Sequence, residues 1–302
     1  MIFDRREVLW GGLGLAGLIV SGCSARSMTS DAADFANRLR AIESASGGTL
    51  GVELFDTASG RSAGFNRDMR FGHCSSFKFS LAAMILARDA SGEDSADRHV
   101  TWTKDDLMFV SPFTEKRVDE GATLRELAEF TQKYSDNAAA NILLREVGGP
   151  EALTTFWRSL GDDVSRLDRY EPALNAVPPG EVRDTTTPAA MARTVATLAY
   201  GDVLTQEHRS VLRQWMVDTP TGLRRVRAGL PDGWVAGDKT GTGLMADTAG
   251  IYVDIGFAEP PGAAPITFAT YFRPPGSDNT FDRAHEAPLA QVGEVLAEFA
   301  AT

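Results

Sequence analysis

Residues 234–272 read WVAGDKTGTGLMADTAGIYVDIGFAEPPGAAPITFATYF, and this stretch decides the fold. It contains three runs rich in β-branched and aromatic residues, at 234–238, 250–257 and 266–272. Turns rich in glycine and proline separate the runs, which is typical of short β-strands. The stretch therefore predicts three strands of one sheet near the end of the chain.

Two further strands are expected near the start of the chain. Residues 50–56 and 61–66 alternate in polarity around the turn sequence Thr57-Ala58-Ser59-Gly60, which predicts a β-hairpin. From about residue 75 to 217 the spacing of apolar residues is helical, without a convincing strand. Helices are predicted there at residues 77–88, 124–132, 138–147, 188–199 and 206–217.

Helices are also expected at both ends of the mature chain, at residues 30–46 and 281–300. We therefore predict an α+β fold with two lobes. An antiparallel sheet of about five strands is covered by the terminal helices, and an all-helical lobe is inserted into it. The α/β lobe is expected to comprise residues 26–70 and 218–302, and the helical lobe residues 71–217. A cleft between lobes is a usual place for a ligand.

The composition excludes several classes of function. The chain has 302 residues, 43% of them apolar and 24% charged, which is typical of a globular protein with a sizeable core. It carries 41 acidic and 30 basic residues, and a net charge of −11 disfavours nucleic-acid binding, which needs basic patches. Cys23 and Cys74 are the only cysteines, and the four histidines lie far apart in sequence. We therefore expect neither a disulfide scaffold nor a metal site.

The first 23 residues are predicted to be an export signal. The pair Arg5-Arg6 precedes an apolar run, residues 8–20, that is too short to span a membrane comfortably. Paired arginines favour the twin-arginine route over an ordinary export signal. The sequence VSGC that ends at Cys23 resembles a bacterial lipobox, and cleavage after Ala25 is the alternative. We expect a periplasmic lipoprotein attached to the membrane through lipidated Cys23.

Ser75-Ser76-Phe77-Lys78 has the pattern S-x-x-K at the expected start of a helix. This spacing places Ser75 and Lys78 on one helix face. A serine hydroxyl is a weak nucleophile that needs a nearby base, and a desolvated lysine with a lowered pKa can act as one. The N–H groups at a helix N-terminus also favour an oxyanion. On its own the pattern is expected about once by chance in a chain of this length.

Two further motifs each have two interpretations. Ser135-Asp136-Asn137 lies between helical stretches, where it can relay a proton and hold a substrate amide, or serve as an ordinary helix cap. Lys239-Thr240-Gly241 lies at the end of a strand, where it can dock a carboxylate. The alternative there is an edge strand bent by glycine, with a protective lysine. A phosphate loop is excluded, because Asp238 stands where a glycine must precede the lysine.

Glu171-Pro172-Ala173-Leu174-Asn175 separates a carboxylate and an amide by four positions. One helical turn would aim both side chains at one point, where they can hold and activate a water. A surface turn is the alternative, and the Glu171–Pro172 bond can be cis. Arg169 and Asp184 flank the segment and are predicted to close it as a loop by an ion pair.

Together, in this order and spacing, the four motifs resemble the class A serine β-lactamases. The resemblance covers nearly the whole mature chain, residues 26–302, and supports the two-lobed fold. It implies an enzyme that hydrolyses penicillins and cephalosporins and so confers resistance to these antibiotics. The partner implied is a small-molecule β-lactam, and we expect a monomer without a cofactor, a metal or nucleic acid.

The resemblance also implies a role for each motif. Ser75 would form the acyl-enzyme beside Lys78 as proton acceptor, and Ser135 would pass a proton to the leaving nitrogen. Glu171 would position the water that hydrolyses the acyl-enzyme, and whether Lys78 or Glu171 is the acylation base stays open. The backbone N–H groups of Ser75 and Thr242 would form the oxyanion hole. Substrate contacts are expected from Asn137, Asn175, Lys239, Thr240, Thr242 and Arg225.

Arg225 lies where some members of that family carry an arginine that binds the substrate carboxylate. Others take this arginine from the strand near Ala249, which cannot serve here. A solvated member of an arginine cluster is the alternative interpretation of Arg225.

Two residues depart from the family pattern. Val110 stands where an aromatic residue commonly lines the cleft edge, although Phe109 beside it can compensate. Gly243 stands where carbapenem-hydrolysing members have a cysteine that pairs with the counterpart of Cys74. That disulfide cannot form, which disfavours carbapenem hydrolysis.

Three alternatives remain. A penicillin-binding DD-peptidase shares the other motifs but lacks a deacylating carboxylate, so the segment from Glu171 to Asn175 discriminates against it. A catalytically silent lipoprotein that binds cell-wall fragments would show damaged motifs. A Ser-His-Asp esterase is disfavoured because G-x-S-x-G is absent and His73 lies only two residues before Ser75.

Overall fold

The structure is a computed structural model that describes residues 22–244, 250–276 and 280–302, with side chains from residue 33 onward. Residues 1–21, which carry most of the predicted export signal, lie outside the described residues. None of the helices in the described part combines the length and hydropathy that crossing a bilayer requires.

Helices and short strands alternate through the middle of the chain, between longer strands near its ends. The described strands are β1 (Thr49–Asp56), β2 (Ser62–Phe65), β3 (Phe71–Gly72), β4 (His99–Val100), β5 (Ala122–Thr123), β6 (Thr185–Thr186), β7 (Val235–Gly243), β8 (Ile251–Glu259) and β9 (Ile266–Arg273). The described α-helices are α1 (Gly22–Ser46), α2 (Phe77–Ser91), α3 (Leu124–Tyr134), α4 (Asn137–Val147), α5 (Pro150–Ser159), α6 (Pro188–Tyr200), α7 (Gln206–Val217) and α8 (Ala287–Ala300).

The longer strands form one antiparallel sheet in the order β2-β1-β9-β8-β7. β1 pairs with β9 along its whole length, with Leu54 opposite Phe268, so strands from the two ends of the chain lie side by side. β7 forms the sheet edge and pairs only with β8, with Lys239 opposite Ile255. The predicted α+β fold, with about five antiparallel strands drawn from both ends, is confirmed.

The sheet separates two hydrophobic clusters. On one face, α1 and α8 pack through Leu39 and Phe299 against Leu54 of the sheet. On the other face, Val253 and Phe257 of β8 join a second cluster that continues into the helices of the chain's middle. Burying each such side chain contributes about 1.5–3 kcal/mol. This second cluster runs without a break from the sheet into the helices, so packing does not mark a border between two lobes. The predicted lobe boundaries therefore stay a prediction.

The prediction was wrong about where β7 ends. The strand runs from Val235 through Gly243, so Lys239-Thr240-Gly241 lies inside it instead of at its end. The glycines and threonines of this segment resemble a turn, but pairing with β8 along nine residues holds the segment extended.

Several elements of the middle were missed. β3 pairs with β6 and β4 with β5 over two residues each, which is too short to show a hydrophobic period. Helix α5 was missed although Leu153, Phe156 and Trp157 have helical spacing and Pro150 at its start is a helix signal. The last helix begins at Ala287, after a 3₁₀ turn at Arg283–Glu286, and not at residue 281.

Candidate active site

Ser75 lies in a 3₁₀ turn, Cys74–Ser76, that leads directly into α2. Lys78 lies in the first turn of α2 and is fully buried, whereas Ser75 is only half-buried. Lys78 Nζ is 3.0 Å from Ser75 Oγ. The spacing of S-x-x-K therefore places the hydroxyl and the amine in hydrogen-bond contact, with the hydroxyl accessible.

The Lys78 amine is the centre of the polar network. Its Nζ lies 3.1 Å from Glu171 Oε1 and 3.1 Å from Ser135 O, and it also donates to Asn137 Oδ1. Burial lowers the pKa of Lys78 from its ordinary value, and the Glu171 carboxylate opposes this shift. A lysine in this balance can both accept and return a proton during a reaction.

Ser135 lies between two lysine amines. Its Oγ is 3.4 Å from Lys78 Nζ and 3.2 Å from Lys239 Nζ. Ser135 has a φ of +60°, a conformation that costs a residue with a side chain about 1–3 kcal/mol. The neighbouring Asp136 caps α4 and accepts two backbone N–H hydrogen bonds at 3.0 Å, which hold the turn in place. The motif thus contains the helix cap, at Asp136, and leaves Ser135 to face the lysines.

Strand β7 brings Lys239 and Thr240 to the site from the sheet edge. Lys239 is fully buried, and its Nζ donates to Thr240 O at 2.9 Å. Burial lowers the pKa of Lys239 well below its ordinary value, and the charge of Lys78 adds to the shift. An anion bound beside Lys239 would offset both effects and favour its charged form.

Gly241 allows β7 to approach the backbone of the nucleophile. A Cβ at this position would lie 2.9 Å from His73 O and 3.0 Å from Ser75 N, closer than side-chain carbons normally come. The absence of a side chain therefore sets the distance between the strand and the Ser75 turn.

Glu171 lies on a segment that is closed at its base. Arg169 Nε is 2.5 Å from Asp184 Oδ2 in the ion pair that flanks the segment. Glu171 Oε2 accepts a hydrogen bond from Asn175 Nδ2 at 2.7 Å, across a 3₁₀ turn at Ala173–Asn175 and not an α-helical turn. The Glu171–Pro172 peptide bond is cis. The carboxylate and the amide thus meet, as the spacing predicts, through a tighter turn.

Two buried polar side chains that sequence reasoning missed position these groups. Asn141 of α4 donates to Glu171 O and accepts from Glu171 N, both at 2.9 Å. Gln132 of α3 donates to Asp238 O at 2.9 Å, one residue before Lys239. Their signals were faint: Asn141 lies one helical turn after Asn137, and Gln132 is a polar residue on the buried stripe of α3.

Arg225 is held behind the edge of β7. It is 3% exposed, which excludes the solvated interpretation. Its guanidinium donates to Gly241 O at 2.9 Å and Thr242 Oγ1 at 2.8 Å, and it pairs with Glu286 Oε1 at 3.1 Å. Ala249, the other position considered for such an arginine, lies outside the described residues.

The predicted residues converge on one cleft of about 480 Å³. Its lining includes Ser75, Ser135, Asn137, Glu171, Asn175, Arg225, Thr240 and Thr242. Lys78 and Lys239 lie buried beneath this lining, and the Arg169–Asp184 pair lies outside it. The arrangement joins a nucleophile, two amines and a carboxylate in one partly enclosed site.

Comparison with known proteins agrees with this site. The sequence profile of the "Beta-lactamase enzyme family" matches residues 34–299. The chain belongs to this family. β-Lactamase OXY-2 of Klebsiella oxytoca is 42% identical, over 80% of this chain and 82% of its own. The carbapenem-hydrolysing β-lactamase KPC, also of Klebsiella oxytoca, is 40% identical over 92% of each chain.

Solved structures place the protein within one class of β-lactamases. The ancestral class A β-lactamase GNCA superposes with a TM-score of 0.83 at 48% identity, covering 88% of this chain and 99% of that one. A β-lactamase from Burkholderia vietnamiensis gives a TM-score of 0.83 at 44% identity, covering 89% and 97%. The protein is a class A serine β-lactamase, and its activity is the β-lactam hydrolysis on which resistance depends.

Both departures from the class A pattern are visible in this β-lactamase. Val110 and Phe109 are exposed at the cleft edge, with 51% and 62% of their surfaces accessible. A Cβ at Gly243 would lie 2.7 Å from Cys74 Sγ, so the glycine lies where a second cysteine would contact the thiol. Cys74 is free, and burial raises the pKa of its thiol to about 12, which keeps it unreactive.

The class A resemblance implies that Glu171 activates the water that cleaves an acyl-enzyme, and on that assignment Asn141→Leu is expected to slow this β-lactamase mainly after acylation. The substitution keeps the side-chain size but leaves Glu171 N and Glu171 O without their partner. Displacing a positioned group by about an ångström can slow a step on the order of a hundredfold. Pre-steady-state kinetics with a penicillin should therefore find a larger loss in the deacylation rate than in the acylation rate. Equal losses in both steps would mean that Asn141 does not act through Glu171.

His73→Phe is expected to make the β-lactamase more resistant to acid. His73 is fully buried and stacks on Trp157 with ring centroids 4.9 Å apart, and burial lowers its pKa to about 4 from 6.5. As the pH falls, His73 therefore takes up its proton in the unfolded chain before it does so in the folded chain. This difference lowers the free energy of unfolding as the pH falls from 6.5 towards 4, by up to about 3 kcal/mol. Urea unfolding at pH 7, 5.5 and 4.5 should show a shallower decline for the variant, which keeps the stack on Trp157. The exposed substitution His99→Gln is the control and should follow the parent.

Proposed function

We propose that this β-lactamase hydrolyses penicillins and cephalosporins by forming an acyl-enzyme on Ser75. A water molecule that Glu171 activates then cleaves the ester of this acyl-enzyme. One observation carries the proposal. The buried Lys78 Nζ lies 3.0 Å from Ser75 Oγ and 3.1 Å from Glu171 Oε1. A single amine thus connects the nucleophile of the first step to the base of the second.

In acylation, Ser75 Oγ attacks the lactam carbonyl carbon and its proton passes to neutral Lys78. The lowered pKa of Lys78 supports this route. The N–H groups of Ser75 and Thr242 would stabilise the oxyanion. When the C–N bond breaks, Ser135 gives its proton to the lactam nitrogen and recovers one from Lys78, whose Nζ is 3.4 Å from Ser135 Oγ.

Charged and polar groups on either side of Ser75 would hold the two ends of the substrate. Lys239, Thr240 and Arg225 would receive the carboxylate that penicillins and cephalosporins carry beside the lactam nitrogen. The position of Lys239 supports this assignment, because its Nζ lies 3.2 Å from Ser135 Oγ, the group that would protonate the lactam nitrogen beside that carboxylate. On the other side, Asn137 and Asn175 line the cleft and would contact the acylamino end.

In deacylation, Glu171 takes a proton from a water held with Asn175, and the water oxygen attacks the ester carbonyl. The ester C–O bond breaks, and Ser75 Oγ receives a proton from Lys78, which recovers one from Glu171. The Lys78 Nζ that relays this proton lies 3.0 Å from Ser75 Oγ and 3.1 Å from Glu171 Oε1. The opened product then leaves. Glu171 Oε2 accepts a hydrogen bond from Asn175 Nδ2 at 2.7 Å, and Oε1 lies 3.1 Å from Lys78 Nζ, so the water that Glu171 and Asn175 hold would lie beside Oε2.

Intact-protein mass spectrometry of the domain mixed with a penicillin tests the proposal. The expected result is a brief adduct on the protein that disappears as hydrolysed penicillin accumulates. An adduct that persists for hours would support a DD-peptidase instead. No adduct and no product would exclude serine acylation altogether.

We also propose, from the sequence alone, that the enzyme is exported, works as a monomer in the periplasm and is anchored through lipid on Cys23. The arginine pair and the VSGC sequence support export and lipidation. Metabolic labelling with a tagged fatty acid should mark the parent and not Cys23→Ser, and light scattering should give the mass of one chain.

A further inference from the structure

The mouth of the cleft carries two arginines without partners. Arg224 and Arg283 are exposed and line the same cleft as Ser75 and Thr240. Among the arginines whose side chains are described, these are the two without a hydrogen bond, an ion pair or a ring contact. Two exposed apolar residues, Leu223 at 61% and Phe281 at 52%, lie beside them in the lining. We call these four residues the cleft mouth.

The other charges in the cleft lining are neutralised by pairing. Glu171 pairs with the buried Lys78, and Arg225 pairs with Glu286. Asp282 precedes Arg283 in the chain but lies outside the cleft lining, and its carboxylate accepts a hydrogen bond from Ala284 N at 2.8 Å. The cleft mouth therefore keeps an excess of positive charge in a chain whose net charge is −11. Such an excess at a cleft favours a ligand that carries an additional negative group.

The chemistry of cephalosporins directs one part of the substrate towards this mouth. The carbon that bears the 3-substituent neighbours the carbon that bears the ring carboxylate. If Lys239, Thr240 and Arg225 hold that carboxylate, the 3-substituent leaves the ring on the side of the cleft away from Asn137. Leu223 and Arg224 directly precede Arg225 in the chain, and the rings of Phe281 and Tyr252 are 5.8 Å apart, with the Arg225 guanidinium 5.6 Å from the Tyr252 ring. These three lining residues therefore lie next to the expected carboxylate site.

We propose that the cleft mouth is a subsite for cephalosporins whose 3-substituent ends in an anionic group. Leu223 and Phe281 contact the ring or thioether of the substituent, and Arg224 and Arg283 bind its terminal sulfonate or carboxylate. This inference rests on the proposed function, because it uses the position of the ring carboxylate. The substrate class it adds is dianionic cephalosporins.

Cefamandole and cefonicid form a matched pair for the test. They share the mandelamido side chain and a tetrazolylthiomethyl 3-substituent, and they differ only in an N-methyl group on cefamandole and an N-sulfomethyl group on cefonicid. With the parent enzyme at low salt, kcat/KM is expected to be about tenfold higher for cefonicid than for cefamandole. Two partly exposed ion pairs with the sulfonate would account for an increase of this size. Screening at 0.5 M NaCl is expected to remove most of this preference.

The variant Arg224→Gln/Arg283→Gln is expected to bring the ratio of the two kcat/KM values close to one. Its matched control is Lys104→Gln/Lys116→Gln, which removes two exposed cations outside the cleft lining and changes the net charge equally. The control should keep the parental ratio, which separates a local subsite from general attraction by the protein's charge. The subsite would be overturned if the parent enzyme hydrolysed cefonicid and cefamandole with equal kcat/KM. It would also be overturned if both double variants changed the ratio of the two kcat/KM values equally. In either case, hydrolysis of cefamandole would leave the proposed function standing. Failure to hydrolyse either compound, with no adduct by mass spectrometry, would overturn both.

Discussion

In the Glu171→Gln variant, a penicillin is expected to stay attached to Ser75 as an ester. The substitution keeps the side-chain length and an oxygen that can accept the hydrogen bond that Asn175 Nδ2 donates to Glu171 Oε2 at 2.7 Å. It removes the carboxylate that would take a proton from the attacking water. General-base catalysis contributes about 10²–10⁴-fold, so deacylation should slow by about this factor. Intact-protein mass spectrometry should then find nearly all of the enzyme as the penicillin adduct after the first turnover.

Acylation is expected to survive in this variant, because Lys78 can take the Ser75 proton. Burial lowers the pKa of Lys78, and the Glu171 charge raises it. Without that charge the pKa falls further, so more of Lys78 is neutral at pH 7. The pH at which acylation reaches half of its maximal rate should therefore be lower in Glu171→Gln than in the parent. Stopped-flow acylation rates between pH 5 and 9 would measure this shift.

A second carboxylate on the same segment provides the control. Glu181 pairs with Arg183 and lies outside the cleft lining, so Glu181→Gln should keep the parental deacylation rate. If Glu171→Gln slows acylation and deacylation by the same factor, then Glu171 is the base in both steps and Lys78 is not the acylation base. If penicillin turns over at the parental rate, the assignment of Glu171 to deacylation is wrong.

The sequence predicts the sheet well because its strands have distinct borders. The hairpin of β1 and β2 and the strands β8 and β9 are bounded by turn residues, and their alternation or apolar content is clear. β7 is the exception, since Gly241 and Gly243 are turn-forming residues placed inside a strand. Gly241 is needed there for a tertiary reason, because a side chain would collide with the Ser75 turn. A local pattern cannot reveal a contact between residues so distant in sequence.

The same distinction applies to the site. Pairs within one helical turn, Ser75 with Lys78 and Glu171 with Asn175, follow from spacing, and both are in contact in the structure. The contact of Lys78 with Glu171 joins residues far apart in sequence, and it follows only from the packing of α2 against the Glu171 segment. Asn141 makes its bonds to the backbone of Glu171, and backbone partners leave no sequence motif. Motifs therefore predict which groups react, while the fold is needed to show which side chains position them.

Ser75→Ala is expected to abolish both the adduct and the turnover of penicillin. The substitution removes the only atom that the mechanism joins to the substrate, and loss of a catalytic serine lowers kcat on the order of a million-fold in a comparable hydrolase. The fold should survive, because Lys78 Nζ keeps its contacts with Ser135 O at 3.1 Å and Glu171 Oε1 at 3.1 Å. Mass spectrometry should find unmodified protein after long incubation, and thermal unfolding should confirm a folded chain.

Ser76→Ala tests whether this loss belongs to the nucleophile and not to a serine in the same turn. Ser76 is fully buried, and its Oγ donates to His73 O at 2.8 Å, so its hydroxyl supports the turn without facing the cleft. Losing this hydrogen bond should lower the free energy of unfolding by about 1 kcal/mol and leave acylation within a few-fold of the parent. An adduct on Ser75→Ala, or its absence on a folded Ser76→Ala, would place the nucleophile elsewhere. Ser75 is half-buried and lines the cleft, whereas Ser76 is buried and bonded to His73 O. Opposite outcomes for the two variants would therefore establish that the Cys74–Ser76 turn presents Ser75 alone to the substrate.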